Sequence, residues 1–181
     1  MKAVKLLNSF VNFIENVNLI VGHGISFFTA GMIFPIIIEV VSRYVFSKPT
    51  IWGLELSMMF FGPFWILGAG YTLLQGGHVN MDVLYNRFSP RGRAILDVIT
   101  SICFFIFFII MLREGIEFAM KSWAIREHSE SLWAPIIYPI KTILPIGVLL
   151  LLLQGLAKFI RNLSFAITGR EIISPSKVLN E

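Results

Sequence analysis

The most constraining feature of this chain is a set of long stretches without charge. Val17 to Ile38 contains no Asp, Glu, Lys or Arg, and neither does Leu56 to Met81. A third run centres on Val98 to Leu112 and extends toward Ala94 and Met120. A fourth, Ile136 to Ala157, is interrupted only by Lys141. A helix needs about 20 apolar residues to cross the hydrocarbon core of a bilayer. Each run is long enough, and together they predict four transmembrane helices. Lys141 lies near one end of its run, where its stem can carry the ammonium to the headgroups.

Composition agrees. Apolar residues make up 56% of the chain and charged residues 14%, against roughly 25% charged in a soluble domain. So few charges cannot solvate so much apolar surface. The fold class expected is an all-α integral membrane protein with four transmembrane helices and an N-terminal interfacial amphipathic helix. The organisation expected is an N-terminal segment, 1–16, a membrane domain, 17–161, and a cytoplasmic tail, 162–181. Lys2 and Lys5 resemble the start of a signal peptide. The first run is longer than a signal core and is followed by Glu39, Arg43 and Tyr44 rather than a small-x-small site, so it reads as a retained span.

In the N-terminal segment, Leu7, Phe10, Val11 and Ile14 recur at helical spacing, with Asn8, Asn12, Glu15 and Asn16 mostly opposite. Such a pattern suits a helix lying in the membrane interface. A plain extension of the first span fits it as well.

An even number of spans puts both termini on one side. That side carries Lys2, Lys5, Arg87, Arg91, Arg93, Lys158, Arg161, Arg170 and Lys177. The other carries Arg43, Lys48, Arg113, Lys121, Arg126 and Lys141. The excess makes the terminal side cytoplasmic. No contiguous basic face is present, which excludes nucleic acid as a partner. Membrane lipid is the medium.

Small residues mark close helix contacts in lipid. Gly22, Ser26 and Ala30 form a stripe on the first helix, and Gly62, Gly68, Ala69, Gly70, Gly76 and Gly77 lighten the second. The phenylalanine-rich run Phe104 to Phe108 reads as facing lipid or a partner.

Ionisable groups fall near the span ends. Glu39 and Arg43 have the acid-first i, i+4 spacing of a helical ion pair. Glu55, across the loop, is a second candidate partner for Arg43. Arg113, Glu114 and Glu117 form another outer group, and Glu127, His128 and Glu130 occupy an outer loop. No nucleophile elbow, phosphate loop, HExxH or CxxC is present, so no enzymatic chemistry is indicated. Cys103 is alone and cannot form an intramolecular disulfide. His23 and His78, on neighbouring spans, are the only basis for an alternative: a b-type cytochrome with axial haem ligands. His23, His78 and Asp82 make a thin ligand set for a metal. A membrane assembly protein outside transport is the remaining alternative.

Several short motifs carry a family resemblance. Arg43-Tyr44-Val45-Phe46, Pro49, Trp52 and Glu55-Leu56 come first. Gly68-Ala69, Gly77-His78-Val79 and Asp82-Val83-Leu84 follow, then Ser89-Pro90-Arg91 and Leu96-Asp97, and last Pro135, Pro145-Ile146-Gly147 and Leu153-Gln154. In order and spacing this resembles the small-permease (DctQ-like) subunit of TRAP transporters, over roughly residues 37–160. The resemblance implies a tripartite importer of an organic acid. A periplasmic substrate-binding protein delivers the solute. A large TRAP permease subunit carries the substrate and sodium sites and moves as an elevator. The small subunit is a fixed scaffold without a cofactor of its own.

Within that frame, Arg43, Trp52 and Glu55 are expected to hold the outer end of the first hairpin, and Gly77, His78 and Asp82 the opposite end of the second helix. Glu127 and Glu130 are expected to help dock the soluble partner, the plain reading being a solvated loop.

Overall fold

The computed structural model describes residues 2–77 and 88–169. Helix α1 runs Lys2–Tyr44, α2 Gly53–Leu74, α3 Pro90–Ala124, α4 Tyr138–Lys141 and α5 Ile143–Thr168. Four segments, one in each of α1, α2 and α3 and one formed by α4 with α5, are long and apolar enough to span a membrane. Among the described residues the rest is turns and loop, with one isolated antiparallel bridge between His128 and Ile136.

Local chemistry sets several helix ends. Ser89 caps α3 by accepting the Gly92 N–H at 3.2 Å, and Pro90 follows at the first helical position, where its missing N–H costs nothing. At the end of α2 the chain turns left-handed at Gly76 (φ +71°). The Gly76 N–H then reaches the Leu73 carbonyl and the Gly77 N–H the Thr72 carbonyl, at 3.2 and 2.9 Å. This double bond closes the last turn, and glycine takes the left-handed conformation without the strain of a Cβ.

The long helices alternate in direction. α1 packs on α2, α2 on α5, and α5 on α3, with a smaller contact between α1 and α5. α3 therefore leans on the bundle mainly through α5, and its most apolar stretch has no buried residue. In water such a face would drive aggregation; here it matches hydrocarbon.

The first helix is continuous. Residues 2–16 join the first span without a break, giving a helix of roughly 60 Å, about twice the hydrocarbon thickness. The face of this segment toward the protein is mixed, joining two apolar residues to two polar ones. Val11, Ile14, Glu15 and Asn18 are buried, while Leu6, Phe10 and Phe13 are exposed. Val11 and Ile14 form the small apolar core with Ala157 of α5, flanked by Leu153 and Ile160.

Other expectations are adjusted in similar ways. In the small-residue stripe only Gly22 is buried, under the Tyr71 ring, whereas Ser26 and Ala30 are exposed. Within the phenylalanine run, Phe104 lies against Gly155 and Phe105 packs edge-on to Phe159 at 5.8 Å, so these two face α5; Phe107 points outward. α5 continues to Thr168, so helix extends past residue 161 into the expected tail.

Close approach between α2 and α5 depends on Gly147. A Cβ built there would lie 2.9 Å from the carbonyl carbon and oxygen of Ile66. Backbone cannot swing aside as a side chain can. Gly147→Ala should therefore force α2 and α5 apart and lower stability by about 1–3 kcal/mol, measured as thermal unfolding in detergent. Gly62→Ala meets open space and should be neutral or slightly stabilising through helix propensity. Equal melting of the two variants would contradict this packing.

Candidate functional site

At the loop end of the bundle, Glu39 organises the first hairpin. Its carboxylate is nearly buried. One oxygen accepts from Arg43, through Nε at 2.9 Å and also through a terminal guanidinium nitrogen. The other accepts the Thr50 N–H at 2.8 Å and the Thr50 hydroxyl. Thr50 Oγ1 in turn accepts the Gly53 N–H at 3.1 Å. One carboxylate thus ties the last turn of α1, the connecting loop and the first residue of α2. Ser57 adds a second tie lower down, donating to the Met32 carbonyl at 2.9 Å. In lipid such interhelical bonds supply affinity that apolar contact does not.

Arg43 therefore takes the place expected of it, with Glu39 as its partner. Glu55 does not pair with it. It accepts instead from the Ser131 hydroxyl at 2.5 Å, linking the start of α2 to the distant outer loop. Trp52 is half-buried beside this cluster and makes no side-chain cap. Its carbonyl accepts the Leu56 N–H at 2.8 Å, opening α2.

The outer loop, 125–137, is held at many points. Lys141 donates to Glu127 at 2.6 Å and lies 4.2 Å above the Phe118 ring, so this lysine turns to the loop rather than to headgroups. Glu127 also exchanges backbone bonds with Ser122 and Ile137, and the Ser129 N–H reaches the Pro135 carbonyl at 2.9 Å. Trp123 donates its indole N–H to Thr142 at 2.8 Å and packs on Tyr138. The hydrogen bond from Lys141 holds the Glu127 carboxyl below its ordinary range. Glu127 and Glu130, expected to act together, thus have different surroundings. Glu127 is an internal clasp, while Glu130 is exposed next to the loop tip, where Leu132 is 91% exposed.

The opposite end of the bundle holds a polar seam. Glu15, fully buried on α1, pairs with Arg161 of α5. One turn deeper, Asn18 Nδ2 donates to Gln154 Oε1 at 3.1 Å and to its own Ile14 carbonyl. Between α3 and α5, Asn162 donates to Asp97 at 2.8 Å. Arg91 donates to the carbonyls of Ala166 and Ile167 at 2.8 and 3.2 Å. That satisfies orphan acceptors at a helix C-terminus and places a cation at its negative pole.

Gly77 sits in the turn closing α2; the left-handed position belongs to Gly76. His78 and Asp82 lie outside the described residues. His23 is exposed, with Nδ1 2.8 Å from the Leu19 carbonyl and its ring edge toward Tyr71. No group of three potential metal ligands occurs among the described residues. Sequence reading missed the seam. Its signal was the repeat Asn8, Asn12, Glu15, Asn18, whose period was legible but whose direction was not.

Comparison with known proteins bears on what these surfaces serve. The family described as "Tripartite ATP-independent periplasmic transporters, DctQ component" matches residues 32–165. A curated relative from Vibrio cholerae serotype O1, the "C4-dicarboxylate TRAP transporter small permease protein DctQ", is 28% identical over 88 residues, covering 49% of this chain. The matched stretch spans 38% of that relative's own length.

Two outcomes follow from the site geometry. Glu15→Gln removes one charge of a buried pair and leaves Arg161 uncompensated, and should cost about 3 kcal/mol or more. Adding Arg161→Met should recover much of that loss, as a double-mutant cycle on thermal unfolding will show. For Glu127 the sign is that of a depressed carboxyl. Its clasp contributes fully above the ordinary value of 4.5 and is lost as pH falls through the lower folded value. Protease nicking of the outer loop should rise on acidification through that range in the native chain. In Glu127→Gln it should be high already at neutral pH and change less.

Proposed function

Since this chain belongs to the DctQ family of tripartite ATP-independent periplasmic transporter components, we propose that it is the fixed membrane scaffold of a three-part solute importer. The observation that carries this reading is the extent of the family match, which runs from the second half of α1 through all later spans into the last turn of α5. The partners are a large permease subunit, which moves the solute and couples it to sodium, and a periplasmic protein that captures it. The solute class is a small organic acid, in keeping with the name of the Vibrio relative. The membrane is the bacterial or archaeal inner membrane, with both termini cytoplasmic on the balance of basic residues.

The geometry supports a scaffold over a carrier. Glu39 and Glu15 are engaged in structural pairs with Arg43 and Arg161. Interlocked ends suit a body that must stay still while a neighbour moves. The uncovered face of α3 and the groove between α1 and α2, which is lined by Ser26, Thr29, Gly68 and Ala69, are the surfaces available to the permease. At the periplasmic end the ordered outer loop presents Glu130 to the soluble protein.

Affinity purification from native membranes in mild detergent tests the reading. A large, many-span protein should be recovered at one-to-one ratio; recovery of this chain alone, or with redox subunits, would overturn it. Arg43→Ala should reduce that recovery by loosening the Glu39 cluster. Glu130→Lys should leave the membrane complex intact but slow uptake and flatten its salt dependence, since rim charges act chiefly on association rate. An unchanged salt response would exclude docking through Glu130.

A further inference from the structure

The outward face of α3 is sorted by residue type. Ile95, Ile99, Ile102, Ile106 and Ile109 follow one another at alternating steps of four and three, and the same stripe continues through Arg113, Ile116, Met120 and Trp123. All of these residues are exposed. Six of the seven isoleucines of α3 lie on this stripe, and only Ile110 does not. The stripe beside it runs Thr100, Cys103, Phe107, Ile110 and Glu114, with no such uniformity. Hydrocarbon chains favour apolar character anywhere on the arc that faces them and give no reason to sort isoleucine from phenylalanine or threonine. A second helix does. Steps of four and three repeat every 3.5 residues, the period that keeps one stripe against one neighbour in a left-handed helix pair. Isoleucine is stiff at χ1 in a helix, so ordering it in a contact costs little entropy.

The surface has a matching shape. A shallow hollow of about 530 Å³ opens on α3, lined by Ile109, Leu112, Arg113, Ile116, Glu117 and Met120. Ile109, Leu112, Arg113 and Ile116 stand at i, i+3, i+4 and i+7, the four-residue outline that receives one knob of a facing helix. Arg113, Ile116, Glu117 and Met120 repeat that outline one step further along.

Arg113, the one charge on the stripe, selects the occupant. Its guanidinium makes no ion pair or hydrogen bond among the described residues. Glu117, four residues on, is held by Lys121 at 2.7 Å. A helix laid on the stripe takes water from this cation, a cost that a carboxylate on that helix offsets. A second copy of this chain does not supply one. Copies inserted with one topology set their α3 helices parallel, and a two-fold axis through the stripe puts Arg113 against Arg113.

We propose that the isoleucine stripe of α3, rather than the groove between α1 and α2, seats one transmembrane helix of the large permease subunit, and that this helix carries an Asp or Glu against Arg113. The identity of the partner rests on the three-part reading above; the choice of face and the acid rest on α3 itself.

Photo-crosslinking in native membranes tests it, with benzoylphenylalanine placed at Ile102 or Ile106 on the stripe, or at Trp65 in the groove, and the joined peptides mapped by mass spectrometry. Both stripe positions should join the same transmembrane helix of the permease, one that bears an Asp or Glu, and Trp65 should join none of it. Ile102→Ala combined with Ile106→Ala should lower permease recovery on the order of tenfold, the scale of two lost knobs. The melting of the full chain alone in detergent should not change, because both side chains are exposed in it. Phe27→Ala, at an exposed position of α1, should alter neither. Arg113→Glu should lower recovery at least as far as the double truncation, and Arg113→Lys much less. Permease recovered with the native chain but joined only from Trp65 would overturn the choice of face and leave the scaffold reading standing. Stripe positions joined to lipid alone, or to a second copy, would overturn the partner named here. Undiminished recovery on Arg113→Glu would overturn the acid. If no permease accompanies the native chain, the scaffold reading and the proposal both fall.

Discussion

Helices in a bilayer gain little by hiding apolar side chains from one another, because lipid is as apolar as they are. What joins them is polar contact and close fit. In this protein the polar contact that sets the arrangement is the seam between α1 and α5, with Glu15 on Arg161 and Asn18 on Gln154. A buried charge pair tolerates few registers, since sliding either helix by a turn would strand both charges in a medium that cannot solvate them. Once the seam aligns α1 with α5, α2 is confined by Gly147 on one side and by the Glu39 cluster on the other.

The two ends of the molecule are built differently. The seam end joins helices that are distant in sequence, and α3 is brought in through Asp97, Asn162 and Arg91. The loop end joins sequence neighbours, α1 to α2 through Glu39 and Thr50, and then reaches across through Glu55 and Ser131. The middle relies mostly on fit: glycines beneath aromatic rings and backbone. A body pinned at both ends and close-packed between is a poor candidate for large internal motion. That accords with a stationary role beside a moving partner, and it leaves the outer face of α3 uncommitted within the chain.

Much of this was legible in sequence because membrane solvation is unforgiving. Uncharged runs of sufficient length can hardly be anything except spans, and Ser89-Pro90 announces a helix start by the chemistry of orphan N–H groups. The spacing of Glu39 and Arg43 was a correct guide to their pairing. For Glu55, nearness across the loop suggested Arg43, while its partner Ser131, 76 residues away, had no local sign. Glu127 and Glu130 read as equivalent loop charges; only the approach of Lys141 separated them.

The sequence by itself determined the number of apolar spans and the family, since each depends on local composition and the order of short motifs. It also contained the polar repeat Asn8, Asn12, Glu15, Asn18, which it could not aim. A periodic pattern says that two faces differ, not which one meets water and which meets protein. The tertiary structure decided that. α5 brings Arg161 and Gln154 to a mixed face of α1 that carries Glu15 and Asn18 beside Val11 and Ile14, while Leu6, Phe10 and Phe13 turn outward, in accord with a surrounding of hydrocarbon rather than water. The free stripe of α3 was settled at the same level, because it is the side that α5 leaves uncovered once it has taken up Phe104 and Phe105.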